Sequence, residues 1–497
     1  MKASVADQNR LLELQRLDSH IQNLQLKLKN LPEIEQLVVS GNSQKARQLL
    51  RATAPSNIPR RELALFASLC RRANLPLISV RVLNPLVRPV GKKEALATTR
   101  EITEYAAALT YLGATEESNE LLKRVNAQEE PQSLLFQAFS YFARWDYGSA
   151  LPILKQYIEM ASISDYQRII GKVNLVAALV YERKHSEAEP LLKELLQTTN
   201  QQKLQLLNGN LWEISAQNEI FQKSWSSAKK HLQKSFDVLH RNLGAGYIYV
   251  TKWETLLAAM ETHDKKSRKK LFDFKEKMKN ESHWEIQRDC ERYEAIIFQD
   301  EPLLNRVCFG TPYPKFVENT LSLFDPSYSL PHSFQWEVFP GKQALEFDLN
   351  QGKLTHKKTA LKAGQGMHRL LSSLCSDFYR PLRIAVIHHH IFPNEFYNPI
   401  SAPKRVHEKI RFLRLWLHRC KIPLSVRQKN RFYFLEASKP LQITIRSAPR
   451  QTTTLTPSLT RLKELLPLPF TSSQVAKALS ISMRSAVRLI SVGIKTQ

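Results

Sequence analysis

The cations Lys404, Arg405, Lys409, Arg411 and Arg414 fall within a single stretch, SAPKRVHEKIRFLRLWLHRC (Ser401 to Cys420). Such groups neutralise and hydrogen-bond phosphate oxygens, lysine as a point charge and arginine as a planar fork. A helix over Lys404–Cys420 gathers Val406, Ile410, Leu413 and Leu417, at steps of four, three and four, into one apolar stripe. The cations lie off that stripe, on faces free to meet a ligand. Behind it, KIPLSVRQKNRFYFL reads as two short strands, Leu424–Arg427 and Phe432–Leu435, around Gln428-Lys429-Asn430-Arg431. Asn430 suits a left-handed turn, and Arg427, Lys429 and Arg431 extend the basic surface. A plain solvated helix is the simpler alternative, but it calls for no hairpin.

Charge over the whole chain points the same way. Residues 331–497 hold 27 Lys and Arg against 8 Asp and Glu, which is +19 of the total +26. An excess so placed fits a polyanion, of which double-stranded DNA is one. Acidic protein surfaces and lipids are polyanions too, so charge alone does not choose. A second basic stretch follows the Thr/Ser/Pro-rich SAPRQTTTLTPS: in TRLKELLPLPFTSSQVAKALSISMRSAVRLISVG, Ser472 or Ser473 caps a helix and Ile481-Ser482 turns the chain. The next helix carries Arg484 and Arg488, the last two candidate phosphate contacts.

Other chemistry has little to stand on. The chain has no GxxxxGK[ST], GxSxG or HExxH pattern, so neither a phosphate-cradling loop nor a catalytic nucleophile is expected. The chain is read as a non-enzyme without a cofactor. Cys70, Cys290, Cys308, Cys375 and Cys420 are scattered without a CxxC pair, and His388, His389 and His390 diverge by about 100° on a helix, so no metal site is expected. No apolar run approaches the roughly 20 residues of a membrane span, which predicts a cytoplasmic protein without a membrane partner.

The elements that position these residues come in two textures. Leu11 to Leu31 has helical periodicity and reads as a cap or packing helix. Thereafter a small residue followed four positions later by Leu recurs at Ala46/Leu50, Ser79/Leu83, Ser118/Leu122, Ala150/Leu154, Ala188/Leu192 and Ala228/Leu232, with separations of 33, 39, 32, 38 and 40 residues. The small residue lets antiparallel helices approach, and the Leu fills the groove between neighbouring pairs. This pattern, clearest in LLFQAFSYFARWDYGSALPILKQYI, resembles the tetratricopeptide (TPR) family, with Ala106, Ala138, Val176 and Ala216 at the family's glycine position. The resemblance implies an α-solenoid that binds a protein or peptide. The run KKSRKK (265–270) reads as a solvated helix face.

After Gly310, TPYPKFVENTLSLFDPSYSLPHS reads as a linker. FQWEVF, ALEFDL and a pair around GKLTHKKTALKAG suggest a small antiparallel sheet, followed by helices in MHRLLSSLCSDF and LRIAVIHHHIF. With the basic helix and hairpin, this order resembles the effector domain of the OmpR/PhoB response regulators, a winged helix-turn-helix with a four-stranded N-terminal sheet. The resemblance implies core roles for Val406, Ile410, Leu413 and Leu417. It places Lys404, Arg405 and Arg414 on a DNA-facing helix and Arg427 and Arg431 on its wing. The wing glycines are replaced by Asn430 and Phe432, and no receiver domain precedes the module.

The fold class expected is therefore mainly α: a TPR-like α-solenoid, then an α+β winged helix-turn-helix domain and a small C-terminal helix-turn-helix. The boundaries are an N-terminal helix (1–32), repeats (33–310), linker (311–333), winged helix (334–437), linker (438–457) and helix-turn-helix (458–497). The function expected is a DNA-binding transcriptional regulator, with a homodimer compatible with that role. The alternative is a cytosolic scaffold whose winged helix modules dock proteins.

Overall fold

The computed structural model describes residues 30–89, 96–240, 247–355, 360–393 and 395–446, together with 471, 473 and 474. Helices α1 (Asn30–Val39) and α2 (Ser43–Ala52) form the first helical hairpin. Seven more follow: α3/α4 (Arg60–Arg72, Pro76–Val87), α5/α6 (Thr99–Leu112, Thr115–Leu122), α7/α8 (Gln132–Phe142, Tyr147–Ile158), α9/α10 (Asp165–Tyr181, His185–Gln201), α11/α12 (Gln205–Phe221, Trp225–Leu239), α13/α14 (Tyr247–Thr262, Lys265–Asn280) and α15/α16 (Trp284–Phe298, Glu301–Phe309). Packing of first helices on one another, α3 on α5, α5 on α7, α11 on α13 and α13 on α15, makes the array a helical repeat.

The expected small/Leu pairs are the contacts that hold it. All twelve residues from Ala46/Leu50 to Ala228/Leu232 are buried, as are Ala106, Ala138, Val176 and Ala216. Where the small residue is serine, its hydroxyl ties the hairpin together: Ser79 Oγ donates to the Ala67 carbonyl at 2.6 Å and Ser118 Oγ to the Ala106 carbonyl at 2.6 Å. Each of the eight hairpins turns through a residue with positive φ: Gly41, Asn74, Gly113, Trp145, Arg183, Lys223, His263 and Gln299. Only two of these are glycine, which hides the turn signal from the sequence.

Two boundaries differ from the sequence reading. The expected linker 311–333 contains α17 (Pro314–Phe324), whose Phe316, Val317 and Thr320 are buried. Pro314 is at the helix start, where a proline costs no hydrogen bond. The array also curls: Trp145 packs edge-on against Phe316 at 4.9 Å and donates its indole N–H to Glu285 at 3.0 Å, 140 residues away. Arg292, fully buried, bonds Tyr181 at 3.1 Å and Asn319 at 2.9 Å across the same closure.

The C-terminal module follows with β1 (Ser333–Phe339), β2 (Leu345–Asp348), β3 (Lys353–Leu354), α18 (Gly366–Leu374), β4 (Leu382–Arg383), α19 (Ile384–Ile391), α20 (Ser401–Arg419), β5 (Leu424–Lys429), β6 (Phe432–Ala437) and β7 (Leu441–Arg446). One sheet has the order β1-β7-β2-β3, with β7 antiparallel to β1 and parallel to β2. This corrects the expected linker 438–457, because residues 441–446 return to fill the middle of that sheet. A four-stranded sheet made from the N-terminal segment alone is not what forms. Alternation in LQITIR buries Leu441 and Ile443 on one face. The other sheet, β4-β6-β5, joins the hairpin to the short strand before α19. Both sheets and α18, α19 and α20 share one core that includes Phe347, Leu370, Ile387, Val406, Leu413 and Tyr433.

Of the expected terminal helices, 1–32 lies almost entirely, and 458–497 apart from three residues, outside the described residues. Thr471 and Gln474 form a reciprocal cap, Thr471 N donating to Gln474 Oε1 at 2.8 Å and Gln474 N to Thr471 Oγ1 at 3.3 Å, one or two positions earlier than the serines expected to cap. No helix among the described residues is long and apolar enough to cross a membrane.

Candidate nucleic-acid interface

Helix α20 buries the expected stripe of Val406, Ile410, Leu413 and Leu417. Lys404, Arg411 and Arg414 are exposed, Arg405 and Lys409 half-buried. Their surroundings separate cations that are free to meet a ligand from those already engaged. Arg405 is paired with Glu395 and stacks over Phe392 at 3.9 Å, and that hydrogen bond holds its guanidinium above the usual value. Arg414 donates through Nε and a terminal nitrogen to the Val426 carbonyl at 3.0 and 2.7 Å. That carbonyl is on the edge strand of its sheet, so Arg414 ties α20 to the hairpin. Arg427 pairs with Glu436 across the hairpin at 2.7 Å. Lys404, Lys409 and Arg411 have no carboxylate partner among the described residues.

The hairpin strands are longer than expected, reaching Lys429 and starting again at Phe432. Its two-residue turn has φ of 51° at Asn430 and 67° at Arg431. Positive φ at both central positions suits the twist of paired strands. The tip therefore presents Lys429, Asn430 and Arg431 to solvent beside α20. His407 is hydrogen-bonded to the Tyr433 hydroxyl at 2.8 Å and braces helix against hairpin. Phe412 and Leu415 are 38% and 46% exposed on the same outward face. Arg484 and Arg488 lie outside the described residues.

The module is held against the helical array at two seams that the sequence did not announce. At the first, Arg288 of α15, fully buried, bonds both oxygens of Asp377 at 2.8 and 2.7 Å, and the Tyr379 hydroxyl donates to Glu291 at 2.7 Å. At the second, the Tyr397 N–H donates to Glu117 at 2.8 Å, Arg88 stacks on Phe396 at 3.7 Å, and His389 pairs with Glu116 at 2.9 Å. Gly113 is needed there, since a Cβ would lie 2.5 Å from Val386.

The three adjacent histidines diverge: His388 is buried, His389 meets Glu116, and His390 Nδ1 bonds Ser373 Oγ at 2.6 Å. Burial pushes His388 and His390 down to about 4. The hydrogen bond to Glu116 raises His389; burial pushes Glu116 up, but the bond and charge of His389 outweigh it and hold the carboxyl below its usual range. Among the described residues no three His, Cys, Asp or Glu side chains are grouped to hold a metal ion. The five cysteines form no disulfide.

No protein-family model and no curated protein matches this chain. Among solved structures it is similar to the apo form of RapI, at 12% sequence identity and a TM-score of 0.32, over 61% of this chain and 95% of that one. A likeness of that size carries no functional argument, and the helical repeat rests on the packing described above. Sequence reasoning missed Arg383 and Trp284, which flank the hairpin; they become neighbours of Phe432 only through strand pairing and docking.

Proposed function

We propose that this chain is a DNA-binding transcriptional regulator in which a helical-repeat body carries a winged-helix module. The observation that carries the reading is the outward face of α20. Lys404 and Arg411, exposed and without a carboxylate partner among the described residues, stand with a hairpin tip bearing Lys429 and Arg431, and Lys409, half-buried over Gly366 at the start of α18, flanks them. The order of helices α18, α19 and α20, with β4 completing a three-stranded sheet with the hairpin, supports it further. A helix of this kind fits the major groove, with cations on phosphates and exposed apolar groups such as Phe412 and Leu415 against thymine methyls. Arg405, Arg414 and Arg427 hold the surface in shape instead of reaching for DNA. The helical body offers further surface for a protein partner, and the cytoplasm is the compartment that suits this role.

The test is titration of the full chain with duplex DNA over a range of salt. Binding should weaken steeply with salt, and Lys409→Ala and Arg411→Ala should each weaken it across all sequences and reduce the salt slope by about one. The exposure of Phe412 and Leu415 also favours a second reading, in which the module docks a protein. No duplex binding at low salt, together with a protein complex that survives nuclease, would select that reading.

A further inference from the structure

Arg383, the last residue of β4, is without the partners its chemistry calls for. Its backbone pairs with Phe432 across the β4–β6 ladder, and its guanidinium lies over the Phe432 ring at 4.7 Å. Its Nε is buried with no acceptor, and no carboxylate among the described residues pairs with it. A guanidinium has five N–H donors, and burying one unpaired is unfavourable.

The neighbouring charges deepen the deficit. Burial comes first and the cations Arg380 and Arg431 second in lowering the pKa of Arg383. Arg431 stands exposed in the hairpin turn. Arg380 is half-buried, with Glu285 at 3.9 Å, but that carboxylate is also approached by Arg288 at 3.6 Å and by the Trp145 indole at 3.0 Å. Trp284, the first residue of α15, packs edge-on against Phe432 at 5.1 Å and fixes the platform beneath the guanidinium. Arg383 also precedes α19, whose first turn has no side-chain cap, so unfilled backbone donors of a helix start adjoin it. Arg383, with an unpaired donor over the Phe432 ring, Arg431 one residue before that ring in the hairpin turn, and Arg380 three residues before Arg383 suit a dianion or phosphodiester, whose oxygens match the arginine fork.

We propose that Arg380, Arg383 and Arg431 form a phosphate site beside the wing turn, and that it takes a backbone phosphate of the bound duplex. The identity of the ligand rests on the DNA-binding reading; the site itself does not, since inorganic phosphate presents the same oxygens.

The test uses the full chain with Arg383→Met, which keeps the stem on Phe432 and removes the charge, and Arg383→Lys, which keeps the charge without the fork. Arg383→Met should melt at or above wild type, because it removes a buried unpaired donor and a repulsion, and it should bind duplex about tenfold more weakly with a salt slope reduced by about one. Arg383→Lys should fall between. Millimolar inorganic phosphate, without DNA, should raise the melting temperature of wild type and not of Arg383→Met. If wild type binds no duplex but phosphate still stabilises it through Arg383, the site stands and the DNA reading fails. If Arg383→Met matches wild type in duplex affinity, salt slope and phosphate response, the site is overturned whatever becomes of the DNA reading.

Discussion

At the scale of residues, the histidine triplet gives the molecule a pH response whose sign follows from burial. His388, buried, and His390, half-buried with its Nδ1 on Ser373, are held neutral, with folded values of about 4. An unfolded chain takes up protons on both near pH 6.5, so stability falls as pH drops from about 6.5 towards 4. His389, raised by Glu116, acts oppositely: its contribution is complete below about 6.5 and is lost as pH rises through its folded value. The groups facing them are Glu116, Glu117, Glu120, Arg405 and Glu395. Two histidines held neutral outweigh one, so the urea midpoint should be lower at pH 4.5 than at pH 7. His390→Gln should shrink that difference; an unchanged difference would remove His390 from the account. The sequence showed only that three adjacent histidines cannot share one metal face. Which was buried, and which met a carboxylate 273 positions away, depended on the second seam.

At the scale of elements, the left-handed turn residues carry a cost that glycine would relieve. Lys223 has φ of 61° in the turn between α11 and α12, a conformation costing an L-residue roughly 1–2 kcal/mol. Lys223→Gly should therefore raise stability by about 1 kcal/mol, and Lys223→Val should lower it, both read from urea unfolding. The repeat was legible because each Ala/Leu or Ser/Leu pair is a local pattern whose packing consequence is fixed by helix geometry. Its turns were not, since six of the eight left-handed positions carry side chains that give no glycine signal. Strand β7 was hidden for a different reason. LQITIR alternates like a strand, but only the partners β1 and β2, about 100 residues earlier, separate a central strand from an extended linker.

At the scale of the whole molecule, the body and the module are joined by buried polar contacts as well as apolar ones. Arg288→Met leaves Asp377 with its backbone donors from Tyr379 and Arg380 but without its cation, in a buried site. Breaking one partner of such a pair typically costs about 3–5 kcal/mol. The full chain carrying Arg288→Met should unfold at lower urea, and adding Asp377→Leu should recover part of the loss. Additive losses in the double variant would show that the two residues do not act as a pair. If the body responds to a protein partner, these seams are the physical route to the module, because α15 and α6 hold it from both sides.

The sequence by itself determined the helical hairpins, the apolar stripe of α20 and the concentration of cations around it. Each depends on residues a few positions apart, and helix and strand periods are fixed by backbone geometry. Only the tertiary structure decided which cations are free. Arg405, Arg414 and Arg427 look equivalent to Lys409 and Arg411 in the chain, yet they are taken by Glu395, the Val426 carbonyl and Glu436. Arg383 carried no signal at all until β4 paired with β6 and α15 placed Trp284 against Phe432. The availability of a charge depends on its neighbours in space, and those neighbours come from elements far apart in the chain.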